Sequence, residues 1–293
     1  IGLGSMGYGI ATSCLRSGHL VSGVDTNIDQ VKAFCSQGGQ ATTLNSVIDK
    51  IDVVVVVVLN SVQTEEVLFG QEGLVENLKP GTVVISCATV APTFAIDMEK
   101  RCKEFEVFYL DAPISGGALK AKNGQLSIMA SGVKEAFQHA RPTLDSISET
   151  VFELGDEAGT GSAMKSVNQL LAGVHIAVMA EALTFGISQG ISPDKFVEVI
   201  SKCAGTSWML ENRAPHIVNG DYKPHSSINI WPKDLGIVLD VALESKFNAP
   251  IATAALEQFR TAVDMGLGFE DDAAVAKVYA KSANLSLPKK NDV

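Results

Sequence analysis

IGLGSMGYGIATSCLRSGHLVSGVD, residues 1–25, carries three glycines in the spacing Gly2-x-Gly4-x-x-Gly7, then an amphipathic run, then a second apolar run that ends on Asp25. Glycines at these positions permit a tight turn and let backbone N–H groups approach a pyrophosphate at a helix N-terminus. Asp25 follows Gly7 by 18 residues, close to the spacing of a carboxylate that accepts hydrogen bonds from an adenine ribose. Gly2, Leu3, Gly4, Ser5, Met6 and Gly7 are therefore the expected dinucleotide cradle, with Asp25 at its ribose. A carboxylate repels a 2′-phosphate, and the following TNIDQ contains no arginine to bind one. The expected cofactor is NAD in preference to NADP. The plain alternative is a tight glycine turn with no ligand.

Outward from this stretch, strand and helix patterns alternate. Residues 28–36 read as helix, and IDVVVVVVL (51–59) is an apolar run of the buried parallel-strand kind. A helix near 61–69, a strand at 81–86, a helix at 92–105 and a strand at 105–111 continue the pattern. Strand candidates at 124–131 and 150–155 flank one more helical stretch. Such alternation predicts a doubly wound, mostly parallel sheet of the Rossmann type, with ligands at the carboxyl ends of its strands. Two strand ends join the crevice: VLNS (58–61), with Leu59 and Asn60, and SCATV (86–90), with Thr89. Thr89 is placed to reach the nicotinamide side, or else caps the next helix.

The strand signal stops after Gly155. A long helix comes next, then helical patterns near 193–203, 207–219, 233–246 and 250–266, punctuated by Pro215, Pro224, Pro232 and Pro250. The expected architecture is α/β, a Rossmann domain over 1–157, followed by an all-α domain over 158–293 joined by a long helix.

Between Ser162 and Gly190 the only formal charges are Lys165 and Glu181. Lys165, Asn168 and Gln169 stand at i, i+3 and i+4, so they share one helical face. Apolar surroundings disfavour the charged form of a lysine, which makes it usable as a proton donor or acceptor. A lysine that snorkels to water is the bland alternative. Upstream, DAPISGG (111–117) ends a strand, and the N–H groups of Ser115, Gly116 and Gly117 are candidates for an anion-binding nest or a simple turn. In WPKDLG, Lys233 beside Asp234 is either a functional lysine or a charge pair at a helix start.

The net charge of −10 (23 Lys+Arg against 33 Asp+Glu) argues against nucleic acid as a partner. The five cysteines are odd in number and form no CxxC, which favours free thiols in a reducing cytoplasm. No metal-ligand pattern is seen, and no leader is read ahead of the first motif. Opening directly on IGLG, the chain is expected to lack part of a first strand. Val53–Val58 is too short to span a bilayer. Residues 170–190 are long enough, but His175 and Glu181 interrupt them, so no membrane partner is expected. A helix this apolar all round suggests burial against another domain or subunit, hence a homodimer or homotetramer.

Together GLGSMG (2–7), DAPISGG (111–117), GTGSAMKSVNQ (159–169) and KDLG (233–236) resemble, over essentially the whole chain, the β-hydroxyacid dehydrogenase family. That family includes 3-hydroxyisobutyrate dehydrogenase and tartronate semialdehyde reductase. The resemblance implies that Lys165 is the catalytic lysine, that Ser115, Gly116, Gly117 and Asn168 hold a small hydroxy-acid substrate, and that Thr89 and Lys233 face the cofactor. The family's paired asparagines appear here as Asn168-Gln169, a departure from its pattern at Gln169. NQLLAGVHIA, GTSWMLENRAPH (205–216) and DDAAVAKVY (271–279) are most similar to a subgroup that oxidises the C2 hydroxyl of a four-carbon sugar acid, L-threonate. Ser207 and Asn212 would then meet the extra hydroxyls, with Trp208 as a wall and Arg213 either near the carboxylate or in solvent. The alternatives are a 3-hydroxy acid dehydrogenase or semialdehyde reductase of the same family, and a non-catalytic dinucleotide-binding protein.

Overall fold

A computed structural model of the chain describes residues 1–41 and 47–290. They form two compact units, Ile1–Lys165 and Ser166–Val293.

In the first unit, β1 (Ser22–Gly23) and β2 (Gln40–Ala41) pair in parallel. β3 (Val53–Val56), β4 (Val83–Ser86) and β5 (Phe108–Asp111) form a parallel set in that order. The first residues join these two pieces: Gly2 N–H donates to Val24 O at 2.8 Å, and Val57 N–H donates to Ile1 O at 2.9 Å. This puts the opening residues between β1 and β3, as in a doubly wound sheet. The helices are α1 (Gly7–Arg16), α2 (Ile28–Cys35), α3 (Ser61–Phe69), α4 (Pro92–Lys103), α5 (Gly117–Asn123) and α6 (Lys134–Ile147).

Alternation along the central strands explains why both faces are covered. Val83 and Ile85 enter one core with Ile10, Leu110, Leu126, Phe137 and Leu144. Val84 points the other way, into a second core with Val56, Leu68, Met98 and Tyr109. A strand buried on both sides reads as a continuous apolar run rather than an alternating one.

A second strand set departs from the pure parallel pattern. β6 (Ile114–Ser115) runs antiparallel to β7 (Leu126–Ala130), which pairs in parallel with β8 (Ser148–Glu153). An antiparallel bridge between Asp111 and Ser131 ties this set to β5. Neither β6 nor α5 is legible in DAPISGG, because adjacent glycines disfavour both strand and helix. The HLVSGVD run likewise forms only the two-residue β1.

Helix α7 (Thr160–Ser188) contributes its residues up to Lys165 to the first unit and the remainder to the second. The second unit continues with α8 (Pro193–Ile200), α9 (Trp208–Val218), α10 (Ile230–Glu244), α11 (Pro250–Asp264) and α12 (Ala276–Ser282). Ile176, Met179, Ala180 and Leu183 of α7 lie in its core with Leu210, Trp231, Leu235 and Phe259. Trp231 stacks on Phe259 at 5.5 Å between ring centroids. A side chain at Gly173 would meet the Trp231 ring at 2.9 Å, so glycine lets the indole lie against the helix backbone. Along α7, Val167, Leu171, Val178 and Phe185 are exposed. Among the described residues α7 is the one helix long and apolar enough to cross a membrane, and 44% of its most apolar window is buried within the chain.

Two adjacent acids, Asp271 and Asp272, are fully buried in the second unit. Asp272 accepts from Arg213 Nε at 2.5 Å and from Trp231 Nε1 at 3.0 Å. Asp271 pairs with His216 Nδ1 at 2.8 Å and accepts the His225 and Ala273 N–H groups. Burial is the largest influence on both carboxyls. It leaves Asp272 above the ordinary carboxylate value, whereas the bonds to Asp271 outweigh burial and hold that group below it. Arg213 is consequently a buried partner of Asp272, not a solvent-facing helix charge. Removing one member of such a pair leaves an uncompensated buried charge.

Candidate active site

The nucleotide end is built from backbone. Gly2 adopts φ +84°, and a Cβ there would lie 2.4 Å from Val57 O; one at Gly7 would lie 1.8 Å from Gly2 O. Glycine at both positions lets the turn close against β3 and against the start of α1. Gly4 has no heavy atom within 4 Å of an added Cβ, and Gly4 and Ser5 are exposed. The first turn of α1 carries no acidic residue. This open cradle with an uncountered helix start fits the pyrophosphate of a dinucleotide.

Asp25 is fixed at the same place. Its Oδ2 accepts from Leu3 N–H at 2.5 Å and its Oδ1 from Asn27 N–H at 2.7 Å. These bonds set the orientation of the carboxylate, and each oxygen keeps acceptor capacity for a ribose hydroxyl. Leu3 is buried, so any part it plays is through backbone. Asp25→Ser is expected to weaken NAD use and to narrow the gap to NADP, read from kcat/KM for each cofactor. Faster turnover of the unaltered protein at low NADP than at low NAD would overturn the assignment.

The other strand ends are ordered locally. Asn60 caps α3 by accepting the Gln63 N–H at 2.9 Å, while Gln63 Oε1 accepts the Leu59 N–H at 2.8 Å. Thr89 does not cap the next helix, because α4 starts at Pro92 with Ala91 as its N-cap.

The chemical end of the first unit gathers DAPISGG and the start of α7. Asp111, at the end of β5, is 1% exposed. Its Oδ2 accepts the N–H groups of Gly159 (3.0 Å) and Ser162 (2.8 Å), and its Oδ1 accepts Ser162 Oγ–H at 2.6 Å. These N–H groups are donors that the first turn of a helix leaves without intrahelical partners. Burial pushes the Asp111 carboxyl above its ordinary 3.8, and the bonds from Ser162 and Gly159 pull it back in part. Gly161 fits because a Cβ there would lie 2.5 Å from both Asp111 O and Met129 O. The start of α7 is thus fastened to the strand end that leads into Ser115–Gly117.

Lys165 follows one turn later. It is 7% exposed, and its Nζ donates to Ile114 O at 2.9 Å, at the residue preceding Ser115. Gly116 and Gly117 have φ +135° and +76°. A Cβ on Gly117 would enter open space. The lysine does not snorkel: it turns inward onto the SGG turn.

In the helical unit, Asn168 Nδ2 donates to Gln169 Oε1 at 2.9 Å, and Gln169 Nε2 donates to Asp234 Oδ2. Lys233 Nζ lies 2.6 Å from Asp234 Oδ1. Ser207 caps α9, accepting Leu210 N–H at 3.1 Å, which leaves its hydroxyl proton to donate. Asn212 is exposed and accepts from Arg213 Nη1. Trp208 is also exposed. Sequence reasoning overlooked Asp111, the buried acid that anchors the start of α7, and read Asp234 only as the charge partner of Lys233, not as the acceptor for Gln169. For Asp111 the signal available was a strand-final acid with no nearby charge of opposite sign.

Residues 1–155 match the family model described as the NAD binding domain of 6-phosphogluconate dehydrogenase, and 159–279 match that described as NAD-binding of NADP-dependent 3-hydroxyisobutyrate dehydrogenase. The chain is 45% identical to an L-threonate dehydrogenase of Cupriavidus necator, over 95% of this chain and 94% of that one. It is 42% identical to an L-threonate dehydrogenase of Escherichia coli K12, over 96% and 93%. Among solved structures, a 3-hydroxyisobutyrate dehydrogenase from Salmonella typhimurium superposes with a TM-score of 0.89 at 40% identity, over 94% of this chain and 97% of that one.

Proposed function

We propose, since the chain belongs to the β-hydroxyacid dehydrogenase family of NAD-dependent oxidoreductases, that it oxidises the C2 hydroxyl of L-threonate to give 2-oxo-tetronate. One observation carries the chemistry: a buried lysine whose Nζ is held at Ile114 O, beside the backbone turn of Ser115, Gly116 and Gly117. The substrate carboxylate rests on the N–H groups of that turn, where the missing side chain of Gly117 leaves open space for it. Lys165 accepts the C2 hydroxyl proton while the C2 hydrogen departs as hydride. When bound, NAD supplies the hydride acceptor. In the opposite direction protonated Lys165 polarises the carbonyl and returns the proton. The protein's contribution is orientation and an acid–base group placed where the proton moves.

The rest of the binding set belongs to the same proposal. Gly2–Gly7, Asp25, Leu59 and Asn60 border the nucleotide, with Thr89 and Lys233 toward the nicotinamide side. Asn168 holds a substrate oxygen. Ser207, with an uncommitted hydroxyl proton, and Asn212, with its amide N–H groups, meet the C3 and C4 hydroxyls. A buried hydroxyl without a partner costs about 1–3 kcal/mol, so a site for a sugar acid requires such groups. A homodimer or homotetramer is proposed from the exposed apolar residues of α7, and a cytoplasmic setting from five free cysteines. Nucleic acid and membrane are not part of the proposed partner set.

The deciding experiment is a panel of four-carbon sugar acids, 3-hydroxyisobutyrate and tartronate semialdehyde, with kcat/KM followed through the reduced nicotinamide signal. L-Threonate is expected to give the highest value. A higher value for 3-hydroxyisobutyrate or tartronate semialdehyde would replace the substrate, and no turnover of any hydroxy acid would remove the catalytic reading.

A further inference from the structure

The pair Asn168-Gln169 stands where the family has two asparagines, and the structure shows what the longer second side chain reaches. Gln169 is 7% exposed and Asp234 3% exposed, so these groups satisfy one another rather than water. An ionised carboxylate offers only acceptors. Gln169 must therefore turn its NH2 toward Asp234 Oδ2, which leaves Oε1 facing Asn168. That oxygen accepts Asn168 Nδ2–H at 2.9 Å, so the amide nitrogen of Asn168 is committed. Its Oδ1, on the other branch of the same planar amide, is not the atom engaged by Gln169.

We propose that Asp234 sets the polarity of the Asn168 amide through Gln169, so that Asn168 presents its carbonyl oxygen to a hydroxyl of the substrate. Asp234 and Gln169 are positioning residues, and they act through Asn168. An acceptor here selects a hydroxyl donor and repels a carboxylate, which directs the carboxylate end of a hydroxy acid elsewhere. The longer reach of glutamine is what connects the amide to Asp234. This inference rests on the proposed reading that Asn168 holds the substrate.

The test uses three variants of the full chain, on whichever hydroxy acid the unaltered protein turns over best. In Asp234→Asn, position 234 can present either nitrogen or oxygen, so the Gln169 amide loses its fixed sense. kcat/KM is expected to fall about tenfold or more, the scale of one lost hydrogen bond in the transition state. Adding Gln169→Glu restores an acceptor-only group beside Asn168, and the amide introduced at position 234 can donate to it. The double variant is expected to recover to within about threefold of the unaltered protein, because the two changes are coupled. Lys233 lacks its Asp234 partner in both variants, so recovery separates the amide sense from that ion pair.

Gln169→Met keeps Lys233 and Asp234 together but removes the amide, and it should lose as much as Asp234→Asn. Thermal unfolding and NADH binding are followed for each, and the effect is expected in kcat/KM for the hydroxy acid with NADH affinity retained. Near-normal kcat/KM in Asp234→Asn or in Gln169→Met overturns the inference. So does a loss in Asp234→Asn that Gln169→Glu fails to recover. Activity of the unaltered protein on L-threonate scores the proposed function separately from these ratios.

Discussion

Lys165→Ala is expected to bind NADH with little change while its turnover falls by about 10²-fold or more, the usual scale for removing a positioned acid–base group. The Lys165 Nζ is turned onto Ile114 O beside the SGG turn, where the proton would move. The Gly2–Gly7 cradle and Asp25 lie elsewhere in the first unit and are untouched by the change. A companion variant separates charge from proton transfer. Arginine keeps the cation but does not give up its proton in a protein, so Lys165→Arg should be as impaired as Lys165→Ala. Single-turnover kinetics with NADH titrations provide both readouts. Near-normal turnover in either variant would mean that Lys165 is not the proton acceptor.

The largest expected effect on stability is at Asp111. Its carboxylate accepts from the Gly159 and Ser162 N–H groups and from the Ser162 hydroxyl at the start of α7. Asp111→Ala would take this acceptor away from all three donors, at about 1–3 kcal/mol for each left unsatisfied. The expected loss is about 3 kcal/mol or more, which corresponds to a fall in Tm on the order of 6–12 °C for a unit of this size. Turnover should fall as well, since the turn that precedes Lys165 is no longer fastened to the strand leading into Ser115–Gly117.

Asp111→Asn tests the pH dependence. Burial, the largest influence, raises the native carboxyl above its ordinary 3.8. The folded state then binds this proton more tightly than the unfolded chain does. Its contribution is fully present below 3.8 and is lost as pH rises through the raised native value. The stability gap between the unaltered protein and Asp111→Asn should accordingly widen as pH falls through that window. A gap independent of pH, measured by denaturant unfolding, would show that Asp111 does not titrate there. Unchanged stability in Asp111→Ala would remove its role as an anchor.

Much of this protein was legible in its sequence because the signals are local. Gly2, Gly4 and Gly7 announce a backbone that must close against itself, Val53–Val58 announces a strand buried on both faces, and the loss of strand pattern after Gly155 announces a helical region. Lys165 stood out as one of two charges in an otherwise apolar helix, and the face it shares with Asn168 and Gln169 followed from helix geometry. Which way those side chains point was not local. Whether Lys165 reached water or Ile114 O depended on where Asp111 fastened the start of α7, a contact between residues about fifty positions apart. Arg213 read as a substrate-facing or solvent-facing charge, yet it is held by Asp272, fifty-nine positions away. Gln169 read only as a departure from a pattern until Asp234, on another helix, gave its amide a direction. Local periodicity and backbone sterics thus determined most of the elements and the tight glycine turn at Gly2–Gly7. Only the tertiary structure decided the partners of the buried polar groups, because burial forces each to find a complement wherever the fold brings one within reach.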